Sequence, residues 1–397
     1  MPREGRAAGL HEERIAAYDA AMRRLYVPLA AAALALAALL SSSCYVVTQG
    51  LRYISMRSEA ESVDKALADP RTDGTLRSFL ERARAVRAFA AAELGLKETR
   101  NYTSVVRLDS DRLATVVQAC AELSFDRWLW SYPLVGKLPY RGYFDPAEAE
   151  KEASRLRARG LDVIARPVDA FSTLGYLSDP LFSFMSSYGE AEVADLVIHE
   201  MTHATVFVKG RRVDPLTGAR VDTEQFNEEL ATFVGREGSL LYLERERGPG
   251  SPEVEAALSR RRDAEAYAAF LRGTADELEP IYESSVSPDE KRRLKAEVIA
   301  SRAALFAKDY DELFETEVYR KAPMDRINNA YIDLYRLYEG EPELYRDYYA
   351  KVCGSDMRAF ISAAARIAKT EADPKAAIRR ELEALADAPA GAEGGAK

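Results

Sequence analysis

Apolar residues recur at three- and four-residue spacing through most of this 397-residue chain, while strand-like runs are confined to short stretches between about 102 and 167. From Ser58 to Leu96 the pattern is helical, with a break at Asp69-Pro70; Leu76, Leu80, Val86 and Phe89 form the apolar face. YTSVVRL and LATVVQACAEL, within Tyr102 to Leu123, read as two strands with Asp109-Ser110-Asp111 as the turn between them. Asp145-Pro146 caps a charged helix running to about Arg159, and Leu161 to Pro167 reads as another strand.

The following segment is helical. Val193, Leu196, Val197, Ala204, Phe207 and Val208 predict a mostly buried helix over 193–210, stopped by Lys209-Gly210. A polar loop leads to a second helix from Asp222, DTEQFNEELATFVGREGSLLYLERERG, whose apolar stripe is Phe226, Leu230 and Phe233. At about 100° per residue, Glu228 falls beside Ala231 and Gly235, small residues that let another helix approach, while Glu229 lies with Arg236 on a solvated flank. Glu253 to Phe314 reads as a helical hairpin whose second arm opens at the capping box Ser287-Pro288-Asp289-Glu290. A further helix begins at Asn328-Asn329-Ala330 and carries Tyr331, Tyr335 and Tyr338. The expected fold is α+β and helix-dominated, with a small sheet beside the helix of 193–210 and a helical C-terminal half closing a cleft. Residues 51–387 make one domain, and the small, polar 388–397 is a disordered tail.

The N-terminus changes the picture. No charged residue occurs between Arg24 and Arg52, and Leu25 to Val47 is apolar or small throughout. Residues 1–50 therefore form a cytoplasmic n-region, marked by Arg23 and Arg24, and a signal or anchor segment. Leu40-Ser41-Ser42-Ser43-Cys44 resembles a lipobox, in which Cys44 would be acylated; otherwise the run is long enough for one spanning helix. Both readings tether the rest of the chain to a membrane outside the cytoplasm, in a bacterial periplasm or envelope. There Cys120 and Cys353 are free to pair or to remain thiols. A net charge of -9 and a pI near 5.3 argue against a nucleic-acid partner.

Candidate chemistry sits in the helix of 193–210. The chain has three histidines, and two of them form His199-Glu200-Met201-Thr202-His203. Positions i and i+4 of a helix share a face, so both imidazoles point at one spot and suit Zn²⁺. Catalytic zinc takes three protein ligands plus a water, and Glu200 is placed to accept that water's proton as it attacks a peptide carbonyl. The acidic residues near the start of the next helix offer a third ligand, and wheel geometry favours Glu228; Thr232, one turn on, is a candidate to hydrogen-bond a ligand histidine. Ser172, Thr173, Leu174 and Gly175, just before the helix, are candidates for main-chain pairing with a peptide substrate. Tyr331, Tyr335, Tyr140 and Arg141 are candidates for the oxyanion donor. A membrane-tethered scaffold holding structural zinc is the alternative, but such sites usually have four protein ligands.

HEMTH followed by Asn227-Glu228-x-x-Ala231 is similar to the gluzincin zinc metallopeptidases. With LSSSC, YRGYFD (Tyr140 to Asp145), STLGYLSDPL (Ser172 to Leu181), HEMTHATVFVKG (His199 to Gly210) and FNEELATFVGREG (Phe226 to Gly238), the chain resembles the bacterial "predicted aminopeptidase" family of lipoproteins. The resemblance implies a zincin-like fold, one Zn²⁺ held by His199, His203 and Glu228, Glu200 as the base, and aminopeptidase activity on peptides. Members of that family often carry two cysteines where this chain has Ser131 and Lys137.

Overall fold

The computed structural model describes residues 45, 48–132, 136–168, 179–210, 212–213, 218, 220–221, 223–337 and 341–387. The apolar segment of 25–47 apart from Tyr45, together with Cys44, Ser172 to Gly175, Tyr338 and the tail of 388–397, lies outside them or at their edge.

Helix α1 (residues 48–58) leads into strand β1 (Glu61–Ser62), α2 (Val63–Ala68) and α3 (Gly74–Ala92). Asp73 starts α3 by accepting the Leu76 amide, and Leu76, Leu80, Val86 and Phe89 are all buried as the helical spacing requires. β2 (Ser104–Val106) and β3 (Ala114–Ala121) do not form the hairpin expected from their turn. β2 lies antiparallel to β1 and parallel to β8 (Leu181–Phe182). β3 is instead the centre of a second sheet, antiparallel to both β6 (Tyr140–Tyr143) and β7 (Leu161–Val168). Seven of its eight residues are buried, so it needs a partner on each edge, and a turn signal fixes a change of direction without choosing the partner. Between them lie the hairpin of β4 (Trp130–Tyr132) and β5 (Gly136–Leu138), in which Ser131 faces Lys137, and α4 (Pro146–Arg157), capped by Asp145. Cys120 and Cys353 are free thiols.

The first sheet, α3, α5 (Glu190–Thr205) and α6 (Thr223–Arg247) share one apolar core through Val105, Phe182, Val197, Phe226 and Val234. Each such buried side chain contributes about 1.5–3 kcal/mol relative to exposure. The short pair β9 (Arg212–Val213) and β10 (Arg220–Val221) connects α5 to α6. The hairpin of α7 (Pro252–Glu283) and α8 (Pro288–Lys308) forms as its caps predict, and Ser287 accepts the Glu290 amide at 3.2 Å. With α9 (Tyr310–Leu313) and α10 (Asn329–Leu337) it builds a second core, rich in tyrosine. Finally α11 (Pro342–Asp347), α12 (Met357–Thr370) and α13 (Pro374–Ala386) return to the first core. The fold is α+β and helix-dominated, with the small sheet beside α5 as expected.

Candidate metal centre

α5 begins three residues earlier than its apolar periodicity suggests, and ends earlier too. Glu192 reaches back to accept the Gly189 amide at 2.8 Å, and Glu190 and Glu192 complement the positive end of the helix. At the other end the periodic valines mislead: Val206 leaves the helix in an extended conformation, and Val206 and Val208 are buried in the core beyond its last turn. Val208 is held there by Asn227, whose side-chain oxygen accepts its amide at 2.9 Å while its side-chain nitrogen donates to its carbonyl at 3.1 Å. Asn227 is itself buried. The carboxylate of the next residue, Glu228, is thereby positioned over α5.

Close approach of the two helices does the rest. A Cβ added at Gly235 would lie 2.3 Å from the Asp195 carboxylate oxygen and 3.1 Å from Cβ of His199. Only glycine fits this crossing, as its place beside Glu228 on the helical wheel implied.

The result is a cluster of three side chains. Nε2 of His199 and Nε2 of His203 are 3.1 Å apart, with the rings edge to face. Glu228 places one carboxylate oxygen 3.4 Å from His203 and the other 3.7 Å from His199. With one donor atom taken from each residue, the three lie within 4.8 Å of one another, close enough to share one ion. The donor set fits as well: burial, with help from His203, pushes His199 down to about 4, which leaves its lone pair free at neutral pH. For His203 burial acts the same way, but the Glu228 carboxylate outweighs it and raises the ring above its ordinary value. Without a cation, a proton on His203 is thus paired with Glu228, which is the place a metal competes for.

A scan of family descriptions matches residues 44–378 to the family described as "putative aminopeptidase". The chain belongs to that family. No curated protein and no solved structure matches it. Family membership supports a peptidase-like hydrolase, and the His199, His203 and Glu228 cluster is consistent with a metal.

The other expected site residues are distributed less evenly. Glu200 is buried on α5 beside the histidines. Thr232 sits one turn beyond Glu228 and makes no hydrogen bond to either histidine among the described residues, and Nδ1 of His203 is buried without a partner there. Tyr331 meets Tyr267 hydroxyl to hydroxyl at 2.8 Å within the second core, and Tyr335 packs edge-on against Tyr267 there. Tyr140 and Arg141 belong to β6, where Arg141 lies over the Tyr45 ring. Glu229 is not on a solvated flank: it accepts from Tyr345 at 2.9 Å and pairs with Lys375 at 3.0 Å, because α11 and α13 cover that side of α6.

The structure also brings forward residues that periodicity could not single out. Tyr53 donates to the Asp179 carboxylate at 2.6 Å, and the Tyr102 amide donates to the Asp179 carbonyl at 2.7 Å. Tyr102 is buried and holds a left-handed backbone at φ 59, unusual outside glycine. Burial first, and then the charges of Glu200 and Asp179, raise the Tyr102 hydroxyl well above the phenol range. Both tyrosines therefore stay protonated, with Glu200 among the charges that hold them so, and each keeps an O–H to donate.

Proposed function

We propose that this protein is a zinc-dependent aminopeptidase, tethered outside the cytoplasm by its N-terminal segment. The observation that carries the reading is the cluster of His199, His203 and Glu228, whose donor atoms lie within 4.8 Å of one another, with Glu200 following the first of them on the same helix. Bound there, Zn²⁺ would supply a Lewis acid and lower the pKa of a water to about 7.

The residues of the chain divide the remaining work. His199 and His203 present neutral nitrogens from one helical face, and Glu228 adds the negative charge from α6. Glu228 is about half-exposed, so the cluster opens to solvent on its side. Glu200, buried beside it, accepts a proton from the attacking water and returns it to the leaving amine. Peptide substrates follow from the family description and from this acid–base arrangement.

Metal analysis of the purified full chain, paired with hydrolysis of aminoacyl fluorogenic substrates with and without chelator, tests this. About one zinc per chain and chelator-sensitive release of the fluorophore are expected. A zinc-loaded protein that cleaves no peptide would leave only a metal-holding scaffold.

A further inference from the structure

The open side of the metal centre continues along α6 toward the C-terminal end of that helix. Glu228 is about half-exposed, Thr232 is partly exposed one turn on, and Arg236 is exposed after a second turn. At about 100° per residue, Arg236 is turned by roughly 80° from Glu228, which puts it at the rim of the face that bears the metal ligand. Glu229, expected beside it on a solvated flank, is covered; Arg236 is not. Its guanidinium makes neither a hydrogen bond nor an ion pair among the described residues. Its charge nevertheless reaches His199 and Asp195 on α5.

The same charge reaches Tyr319, on the second core. The Tyr319 ring stacks on Tyr267 with centroids 4.2 Å apart and planes 14° apart, so its hydroxyl is held in place. That hydroxyl also has no hydrogen bond among the described residues, and it is not sealed from solvent. The other arginine nearby is engaged: Arg261 of α7 takes Glu237 at 2.6 Å, which ties this turn of α6 to the second core. Asp195 shares the space without forming an ion pair with either arginine.

An open guanidinium beside an open phenol suits a carboxylate, which accepts two parallel N–H groups from the fork and an O–H from the ring. The spacing says where that carboxylate would sit. Eight residues of helix rise about 12 Å, and an arginine side chain leans back toward the helix N-terminus, so the guanidinium stands on the order of 10 Å from the Glu228 carboxylate. Two extended residues span about 7 Å, and a hydrogen bond to a carboxylate adds about 3 Å.

We propose that Arg236, with Tyr319, binds the terminal carboxylate of a peptide whose scissile carbonyl lies at the metal centre, so that the preferred substrates are tripeptides with a free C-terminus. This rests on the peptidase reading above and names its substrate class.

The zinc-loaded full chain is given Ala-Ala-Ala and its C-terminal amide, and release of the first alanine is followed. Aminoacyl fluorophores carry no carboxylate, so they report the metal centre apart from this subsite. The acid should exceed the amide in kcat/KM by about tenfold or more, with most of the difference in KM. Arg236→Gln should remove that preference. Arg236→Lys should keep part of it, since it retains the charge without the fork. Tyr319→Phe, which preserves the stacked ring, should reduce it severalfold. Lys369→Gln, a charge change on α12, should leave it as in the parent. Equal kcat/KM for acid and amide in the parent, or a preference that survives in Arg236→Gln, would overturn the subsite. Should the parent hydrolyse neither peptide nor fluorophore, the peptidase reading fails alone if calorimetry still finds the acid bound about tenfold more tightly than the amide; equal binding overturns both.

Discussion

Asn227 clasps the backbone of Val208 with both ends of its amide, accepting at 2.9 Å and donating at 3.1 Å. This joins the chain leaving α5 to the first turn of α6 and sets where Glu228 begins. Asn227→Ala leaves a buried N–H and C=O unmet, at a cost of about 1–3 kcal/mol each. We expect a lower melting temperature and weaker zinc retention against a competing chelator, with Asn227→Asp intermediate because it keeps only the acceptor. An alanine variant that retains zinc like the parent would contradict this positioning role.

Glu200→Gln tests the division of labour at the metal centre. The amide preserves shape but cannot take a proton, so zinc content should be unchanged and turnover should fall by about 10²-fold or more. Retained peptidase activity in that variant would refute the assignment of Glu200 as base.

Gly235 marks the closest crossing of α5 and α6. Gly235→Ala must push Asp195 or the whole of α6 aside, at about 1–3 kcal/mol for overpacking. Because Glu228 and the histidines lie on opposite sides of that crossing, zinc affinity should fall together with stability. Gly74→Ala, at the start of α3 with open space around it, is the comparison and should change neither. Equal zinc affinity in Gly235→Ala and the parent would show that the crossing does not set the site.

Asp195 makes a prediction about pH. Burial raises its carboxyl to about 6, with Arg236 and Arg261 opposing. A folded-state value above the unfolded one means that the folded chain binds more protons, so the penalty of ionising Asp195 grows as pH rises from about 4 to 6 and is complete above that. Asp195→Asn should therefore stabilise the protein at pH 7.5, by on the order of 1–2 kcal/mol, and leave it unchanged near pH 4. Denaturant titrations at both pH values measure this; a gain at pH 4 as large as at pH 7.5 would exclude it.

Chelation gives the last prediction. A ligand that binds only the folded chain stabilises it by RT ln(1 + [L]/Kd), about 2.7 kcal/mol at a hundredfold excess over Kd. Stripping zinc should lower the melting temperature of the parent, and His203→Ala should abolish that sensitivity. A chelator effect that persists in His203→Ala would place the metal elsewhere.

What the sequence determined by itself was local. Helix spacing and caps placed α3, α4, α5, α7 and α8 within a few residues, since turn-by-turn apolar contact and orphaned end amides act over short separations. The same periodicity put His199 and His203 on one face and paired Glu228 with Gly235, so the grouping of these three side chains was legible before any coordinates. Tertiary structure decided what depends on partners distant in the chain. It separated β2 from β3 into different sheets, because a strand buried on both faces takes whichever edges the core supplies. It ended α5 at Thr205, beyond which Val206 is extended and the amide of Asn227 meets both backbone groups of Val208. It covered Glu229 with Tyr345 and Lys375 and brought Tyr53, Tyr102 and Asp179 near Glu200. Such contacts join residues about a hundred positions apart, and no periodicity within one segment carries information about what will lie across from it.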